Sequence, residues 1–589
     1  MKHRAVLRLL AGLTTTAAAL AGETQPTASS APGLRPSAGD RYLQAVQQFA
    51  DNVLTHGRDR IRHTPLLVDG INVDTREPAI WRLPEDCARV WKMPRQWVMS
   101  NLASQQNLFR VLDALTTITG DSRYRKTAVE ATRYAFEHLC YEDGLLFWGG
   151  HCLIDLATGR PVGESHKDWS KGIPIPPTWD TGLVHELKHH FPYYELMWQV
   201  DAAATRRFIE AFWGSHIQNW SNLDMNRHGI YGRGAGPGWD HAYVGGPVPF
   251  TGKGLSILHG GSDLIYSAGL LTLLSDDERP LTWARRLARR YVESRHPVTG
   301  LGPDLYSFYR NERMLAQFGP EWGDRINEST IVSIYGARYG DSALGLLKLA
   351  ERLGPRGEEF REQVTEDLLA YAKHAYDASD NSFWSMLTDG TRLSPEVVKR
   401  PGSLTPGTFH KRGARAVHFW VYALVAQAGG DPLLGKMARS IGRALGLGDI
   451  GGLGPADTDA PRLDMATRCT DPEILFALLD MHRLTGRRQY LELAEHIGDN
   501  LMTAQFHHGF FVATADHLYC RFDTITPLAL LHLHEALNGR PDQAPFYPGG
   551  SSYFHCDYEG KGRSYDGAEI FSQKRPAHPA VGDQPHGGK

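Results

Sequence analysis

The feature that most limits how this 589-residue chain folds is a punctuation mark that recurs along it: a glycine or serine followed by apolar residues, closing a stretch of helical periodicity. It stands at Gly70-Ile71, Gly144-Leu145-Leu146-Phe147, Gly229-Ile230-Tyr231, Gly300-Leu301, Ser382-Phe383-Trp384, Gly452-Leu453 and Gly509-Phe510-Phe511. The spacing runs from 57 residues (452 to 509) to 85 (144 to 229). Between the stops, apolar residues fall at three- and four-residue steps, as in Tyr124, Ala128, Ala131, Ala135 and Leu139, or Phe208, Phe212, Trp213, Ile217 and Trp220, or Tyr490, Leu493, Ala494, Ile497 and Leu501. That is the period of an amphipathic helix, and period-two strand runs are scarce. Two stretches echo each other: Leu112-Asp113, Thr119-Gly120, Tyr124 and Leu479-Asp480, Thr485-Gly486, Tyr490 each read as helix, glycine turn, second helix, stop. The glycine suits the left-handed residue that closes a helix. One helical hairpin cannot bury its own apolar face, but stacked hairpins bury a shared core. The expectation is an all-α toroid of helical hairpins with long loops.

The ends of the chain read differently. Lys2-His3-Arg4 followed by Ala5 to Ala21, ending Ala19-Leu20-Ala21, has the form of a secretory signal peptide over 1–21. Residues 22–40 read as a disordered linker, 41–542 as the catalytic barrel, and 543–589 as a tail that wraps the surface or is disordered. A periplasmic or extracellular location follows from the leader. No other stretch reaches the roughly 18 apolar residues of a membrane span. The six cysteines form no C-x-x-C pair and read mostly as buried thiols. A net charge of −3 lacks the basic excess of a non-specific nucleic-acid binder. It leaves acidic substrates open, because a local cluster of cations or a metal is enough to bind them. Oligomeric state is not legible.

Three strings carry candidate chemistry. His185-Glu186-Leu187-Lys188-His189 is a literal H-E-x-x-H, which on a helix would set two imidazoles on one face for zinc. Pro192 soon ends any such helix, and no further protease signature follows. Trp148-Gly149-Gly150-His151 and the run Asn222 to Gly232 lie beside stops, at the expected ends of inner helices, where a ring of hairpins would gather His151, Glu186 and His228 at one mouth. Two imidazoles and a carboxylate suit a transition metal better than calcium. Taken singly, each of these residues has a plainer reading: a turn histidine, a solvated helix carboxylate, a salt-bridging arginine.

From about Arg41 to Pro541 the chain resembles polysaccharide lyase family two, the bacterial pectate and exopolygalacturonate lyases. The resemblance rests on many ordered stretches, among them His63-Thr64-Pro65-Leu66 with Asp69-Gly70-Ile71, Ser104 to Leu108, Gly144 to His151, His185 to Lys188, Pro192-Tyr193-Tyr194, Arg206 to Trp213, Arg227-His228-Gly229, Lys253-Gly254-Leu255, Ser262 to Ser267, Gln317 to Glu321 and Ile497 to Asn500. It implies an (α/α)7 barrel with minor β structure, cleaving polygalacturonate or oligogalacturonides by β-elimination. It further implies a divalent transition metal, manganese most often and otherwise cobalt, nickel, iron or zinc, held by His151, Glu186 and His228. Arg227 corresponds to the family's base. Lys253 lies in a matching stretch and is suggested as a contact to a substrate carboxylate or leaving group. The chemistry of Arg227 itself leaves a second reading, a bidentate clamp on the substrate carboxylate. The segment between His151 and Glu186 is longer than the resemblance leads one to expect and holds His166-Lys167-Asp168-Trp169 and Ile173 to Pro177. Cys152 and His189 are also departures. Three alternatives stand beside this reading: an α/α-barrel glycoside hydrolase drawing on Asp69, Asp224 or Asp263, an H-E-x-x-H metalloprotease, and a non-catalytic carbohydrate-binding toroid.

Overall fold

The computed structural model describes residues 39–576 apart from 83–95, 150–151, 164–183, 235, 249–260, 305–310, 328, 333–337, 402–403, 455–456, 458, 542, 551–555, 559–563 and 567–569. The leader, the linker to residue 38, most of the inserted stretch after His151, and the end of the tail therefore lie outside the described residues, as do His151 and Lys253.

Among the described residues, fourteen helices pair into seven hairpins: α1 (Asp40–His56), α2 (Gln106–Thr119), α3 (Ser122–His138), α4 (Tyr194–Val200), α5 (Ala202–His216), α6 (Ser262–Ser275), α7 (Glu278–Glu293), α8 (Arg338–Leu353), α9 (Glu358–His374), α10 (Ala416–Gln427), α11 (Pro432–Ala444), α12 (Pro472–Thr485), α13 (Arg488–Gln505) and α14 (Thr526–Leu537). The even-numbered helices neighbour one another in an inner ring and each pairs with an odd-numbered outer helix; α14 pairs with α1, so the two ends of the domain close the circle. Between α2 and α4 the ring is joined by Arg110, whose guanidinium donates to the Phe191 and Pro192 carbonyls at 2.9 and 3.1 Å. A short helix, Asn311–Phe318, ends at Phe318 in a separate apolar cluster with Ile326, Leu387 and Phe409.

Composition sorts the two layers. Inner α6, SDLIYSAGLLTLLS, is apolar all round and buried from Ser262 to Thr272. Outer α7 buries Leu281, Trp283, Ala284, Leu287, Ala288 and Tyr291. This is the one-sided stripe of a helix that faces water on its other side. The hinges are equally local. Gly120 and Gly486 end α2 and α12 in the left-handed conformation, and Asp121, Asp201, Asp277 and Asp431 cap the next outer helices by accepting backbone N–H groups. Gly269 of α6 lets α8 approach, since a Cβ there would sit 2.6 Å from Leu349.

The stops mark the ends of hairpins, as the spacing implies, but they follow the outer helices rather than the inner ones. Each outer helix delivers the chain to one mouth of the ring, where a tight turn or small β-hairpin precedes the crossing to the next inner helix; Phe506–His507 with Phe510–Phe511 is one. The tail also departs from expectation. From Ala544 to Gly549 it is partly or fully buried, and Tyr547 is 4% exposed. It runs inside the ring, with Phe546 under Arg352 of α8 and Tyr547 stacked on Phe476 of α12 at 4.5 Å. Gly550 then lies against the carbonyl of His189. The two aromatic rings pack against the inner helices α8, α10 and α12, Phe546 beside Lys348 and Arg352 and Tyr547 beside Trp420 and Phe476. Cys140, Cys469 and Cys520 are free thiols. No described helix is long and apolar enough to cross a membrane.

Candidate active site

Three short strands shape one mouth: β1 (Cys152–Asp155), β2 (Val184–Glu186) and β3 (His228–Ile230). β2 and β3 pair antiparallel, with His228 opposite Glu186, Gly229 opposite His185 and Ile230 opposite Val184. Directly opposed residues share a face, so Glu186 and His228 stand together and His185 projects to the other side. Glu186 Oε1 lies 3.9 Å from His228 Nε2 and accepts Arg227 Nη1 at 2.6 Å. Both Glu186 and His228 are buried, at 4% and 7% exposure. The Arg227 side chain keeps 36% of its surface in solvent. The pairing extends one step further through Leu187 N–H, which donates to the Arg227 carbonyl at 2.9 Å.

The opposite face is closed by histidines. His185 Nδ1 is 3.0 Å from His216 Nε2, Trp148 Nε1 donates to His185 Nε2 at 3.2 Å, and His216 Nδ1 lies 2.7 Å from the Asn226 carbonyl. Burial holds the His216 imidazole down at about 4, so it stands neutral. Gly229 is required by approach: a Cβ there would lie 2.7 Å from both His216 Nε2 and Ser215 Oγ.

Of the residues singled out from sequence, Glu186, Arg227 and His228 come together. His151 and Lys253 lie outside the described residues, but the backbone leading to His151 is pinned. Asn101 donates to the Gly149 carbonyl at 2.8 Å and accepts the Gly149 N–H at 3.1 Å. Its own N–H rests on Asp69, which also takes the Gln105 amide at 2.7 Å. Among the described residues no group of three or more His, Cys, Asp or Glu side chains is arranged around an ion-sized space.

The metalloprotease reading fails on geometry. His185 and Glu186 lie on a strand, and His189 follows in a turn with φ of 52°, its ring 3.3 Å from the hydroxyls of Ser262 and Ser342. The carboxylates available to a hydrolase are engaged in holding the backbone. Asp69 serves Asn101 and Gln105. Asp263 takes the N–H of Lys188 at 2.8 Å together with those of His189 and His190, and burial pushes its carboxyl up to about 8. Asp224 sits on the strand pair Ile217–Asn219 with Asp224–Met225. Sequence reasoning passed over His216 and Asn101. The only signal for His216 is an imidazole inside the apolar run that ends α5.

The chain is similar to known proteins over most of its length. The family described as periplasmic pectate lyase matches residues 64–557. The pectate disaccharide-lyase of Dickeya dadantii (strain 3937) is 29% identical over 575 residues, covering 91% of this chain and 97% of that protein. Among solved structures, the GH76 α-mannanase of Bacteroides thetaiotaomicron is 10% identical over 85% of this chain and 96% of its own, with a TM-score of 0.38. The unsaturated glucuronyl hydrolase of Bacillus sp. GL1 is 12% identical over 88% and 99%, with a TM-score of 0.34. Since the family match takes in six of the seven hairpins whole and both strands of the site, the chain belongs to the periplasmic pectate lyase family and is a polysaccharide lyase.

Proposed function

We propose that this chain is a metal-dependent pectate lyase that cleaves α-1,4-linked polygalacturonate by β-elimination and releases unsaturated oligogalacturonides. The observation that carries the proposal is the trio at one end of the strand pair: a buried carboxylate and a buried imidazole 3.9 Å apart, with a solvent-reaching guanidinium on the same carboxylate at 2.6 Å. A buried carboxylate and a buried imidazole are the donor types that a divalent transition metal takes. Glu186, His228 and His151 would hold the divalent ion, with manganese the first choice. The chemistry such an ion supplies is Lewis-acid stabilisation of the substrate carboxylate.

The protein's own residues do the rest. In the elimination the proton on C5 of a uronate leaves, a C4–C5 double bond forms, and the C4–O bond breaks with its electrons on the departing oxygen, which takes up a proton. Arg227 is proposed to receive the C5 proton, and Lys253 to contact a substrate carboxylate or the leaving oxygen. Glu186 holds the Arg227 guanidinium at the rim of the mouth, so substrate binding has to draw Arg227 away from that carboxylate or share it. No covalent intermediate is required, in keeping with a site built from a carboxylate, an imidazole and a guanidinium. Export through a leader at residues 1–21 is part of the proposal, and N-terminal sequencing of the secreted protein tests it.

The direct test mixes the purified chain with polygalacturonate and manganese and follows the ultraviolet absorbance of the unsaturated product. Growth of that absorbance, abolished by chelator and restored by manganese, is the expected result. Saturated reducing ends, or turnover indifferent to chelator, would overturn the metal-dependent elimination.

A further inference from the structure

The H-E-x-x-H string left one residue without a task, His185, whose side chain points away from the elimination site. It belongs to a buried line of four groups. The Trp148 indole can only donate and the Asn226 carbonyl can only accept. Trp148 Nε1–H therefore donates to His185 Nε2 at 3.2 Å, His185 Nδ1–H to His216 Nε2 at 3.0 Å, and His216 Nδ1–H to the Asn226 carbonyl at 2.7 Å. This arrangement satisfies these three contacts with two neutral imidazoles. The line is sealed from water: Trp148, His185 and His216 are 3%, 2% and 0% exposed. His216 is clasped twice, since its own carbonyl takes the Asn226 N–H at 2.9 Å.

What the line connects gives it meaning. Trp148 stands three residues before His151, His185 is the neighbour of Glu186, and Asn226 precedes Arg227 and His228. The three chain segments that carry the proposed metal ligands and base come from three separate places in the sequence, and this one row of hydrogen bonds joins all of them from beneath.

We propose that His185 and His216 are positioning residues of the lyase: together they fix the β2–β3 strand pair against the Trp148 segment and so set how Glu186, Arg227 and His228 face the substrate. The proposal rests on the elimination reading above. Two rigid rings suit the task because they pass on orientation as well as distance, and a site displaced by about 1 Å can lose 10²-fold in rate. A core histidine whose role was only to fill space would tolerate any substitute of similar shape and polarity.

The experiment uses the full-length enzyme with manganese. In His216→Asn the amide keeps the place of Nδ1, and with it the link to Asn226, but withdraws from His185. In His216→Gln an amide occupies the place of Nε2 and meets His185 again. His216→Asn is expected to lower kcat and weaken Mn²⁺ binding, measured by calorimetry, by roughly 10- to 100-fold. KM and the thermal midpoint should stay close to wild type, and His216→Gln should recover most of kcat. Trp148→Phe, which removes one N–H and keeps the ring, covers the case in which the His216 variants fail to fold; it should lower kcat roughly 3- to 10-fold. Wild-type kcat and Mn²⁺ affinity in all the folded variants, or losses that follow only the fraction of folded protein, would overturn the positioning role alone. A wild-type enzyme that gives no unsaturated product would overturn the functional reading, and this role with it.

Discussion

The two ends of the ring each bury a carboxylate against a cation, and they finish the job differently. At the end away from the strand pair, Lys348 Nζ lies 2.6 Å from Asp480 Oδ2, which also accepts the Trp420 indole at 2.8 Å, while Arg483 reaches the other oxygen at 3.0 Å. Lys348 and Asp480 expose only 5% and 12% of their side chains. At the site end, Glu186 is as deeply buried, but its cation, Arg227, keeps 36% of its side chain in solvent. Asp480 is held by three donors, of which Lys348 and Trp420 are buried and only Arg483, 41% exposed, reaches solvent; a carboxylate held by several donors in this way serves the fold. One whose partner reaches the rim of an open mouth is arranged for exchange with something that arrives from outside. The difference lies in the surroundings, since the bond lengths of the two pairs are the same.

This contrast predicts opposite phenotypes. The largest effect is expected at the open end: Arg227→Lys should cut kcat by roughly 10²–10⁴-fold, the range for loss of a general base, with little change in thermal midpoint. If KM rises instead while kcat survives, Arg227 clamps the substrate carboxylate and does not take the proton. At the Lys348 end, Asp480→Asn should cost about 1–3 kcal/mol in urea denaturation, because Lys348 then keeps only the half-exposed Glu351, at 3.2 Å, as its counter-charge, while activity per folded molecule is kept. The same pair sets a pH signature. Burial alone would raise Asp480, but Lys348 and Arg483 outweigh it and hold the carboxyl below its ordinary 3.8. A carboxylate lowered in the folded state contributes its stability above pH 3.8 and loses it as the pH falls further. The stability gap between wild type and Asp480→Asn should therefore narrow on acidification below that value. Gly229→Ala, which drives a Cβ into His216 and Ser215, should cost about 1–3 kcal/mol and also reduce kcat; a loss of stability without a loss of rate would separate the histidine line from the strand pair. The smallest effect is expected in the lumen, where Tyr547→Leu removes the stack on Phe476 for about 0.5–1.5 kcal/mol.

Much of this was legible beforehand, and the reasons are local. The stripes Tyr124 to Leu139 and Tyr490 to Leu501 are buried on α3 and α13 as their period requires. The stripe from Phe208 to Trp220 fails only past His216, where α5 ends and Ile217 enters a strand. The glycine turns at 120 and 486 close helices because the left-handed conformation is cheap for glycine wherever it occurs. The stops beside them suggested that Glu186 and His228 gather at one mouth, but their roles and that of Arg227 came through resemblance, and nothing in their spacing pairs residue 186 with residue 228. The H-E-x-x-H string misled because its helical reading assumed a local period that the β2–β3 pairing overrides. The tail misled because its Gly, Pro and His content hides two aromatic residues that matter only when a ring stands ready to receive them.

Periodicity, capping and turn residues act over a few positions, so the string of amino acids alone determined that the chain forms helical hairpins and where several amphipathic stripes lie, while their number was implied only by resemblance. Which end gathers the chemistry, which carboxylate is closed and which is open, and how one line of four groups joins segments from three separate parts of the chain were decided only when the ring closed. Those outcomes depend on contacts between residues tens to hundreds of positions apart, and such contacts leave no periodic trace in the order of residues.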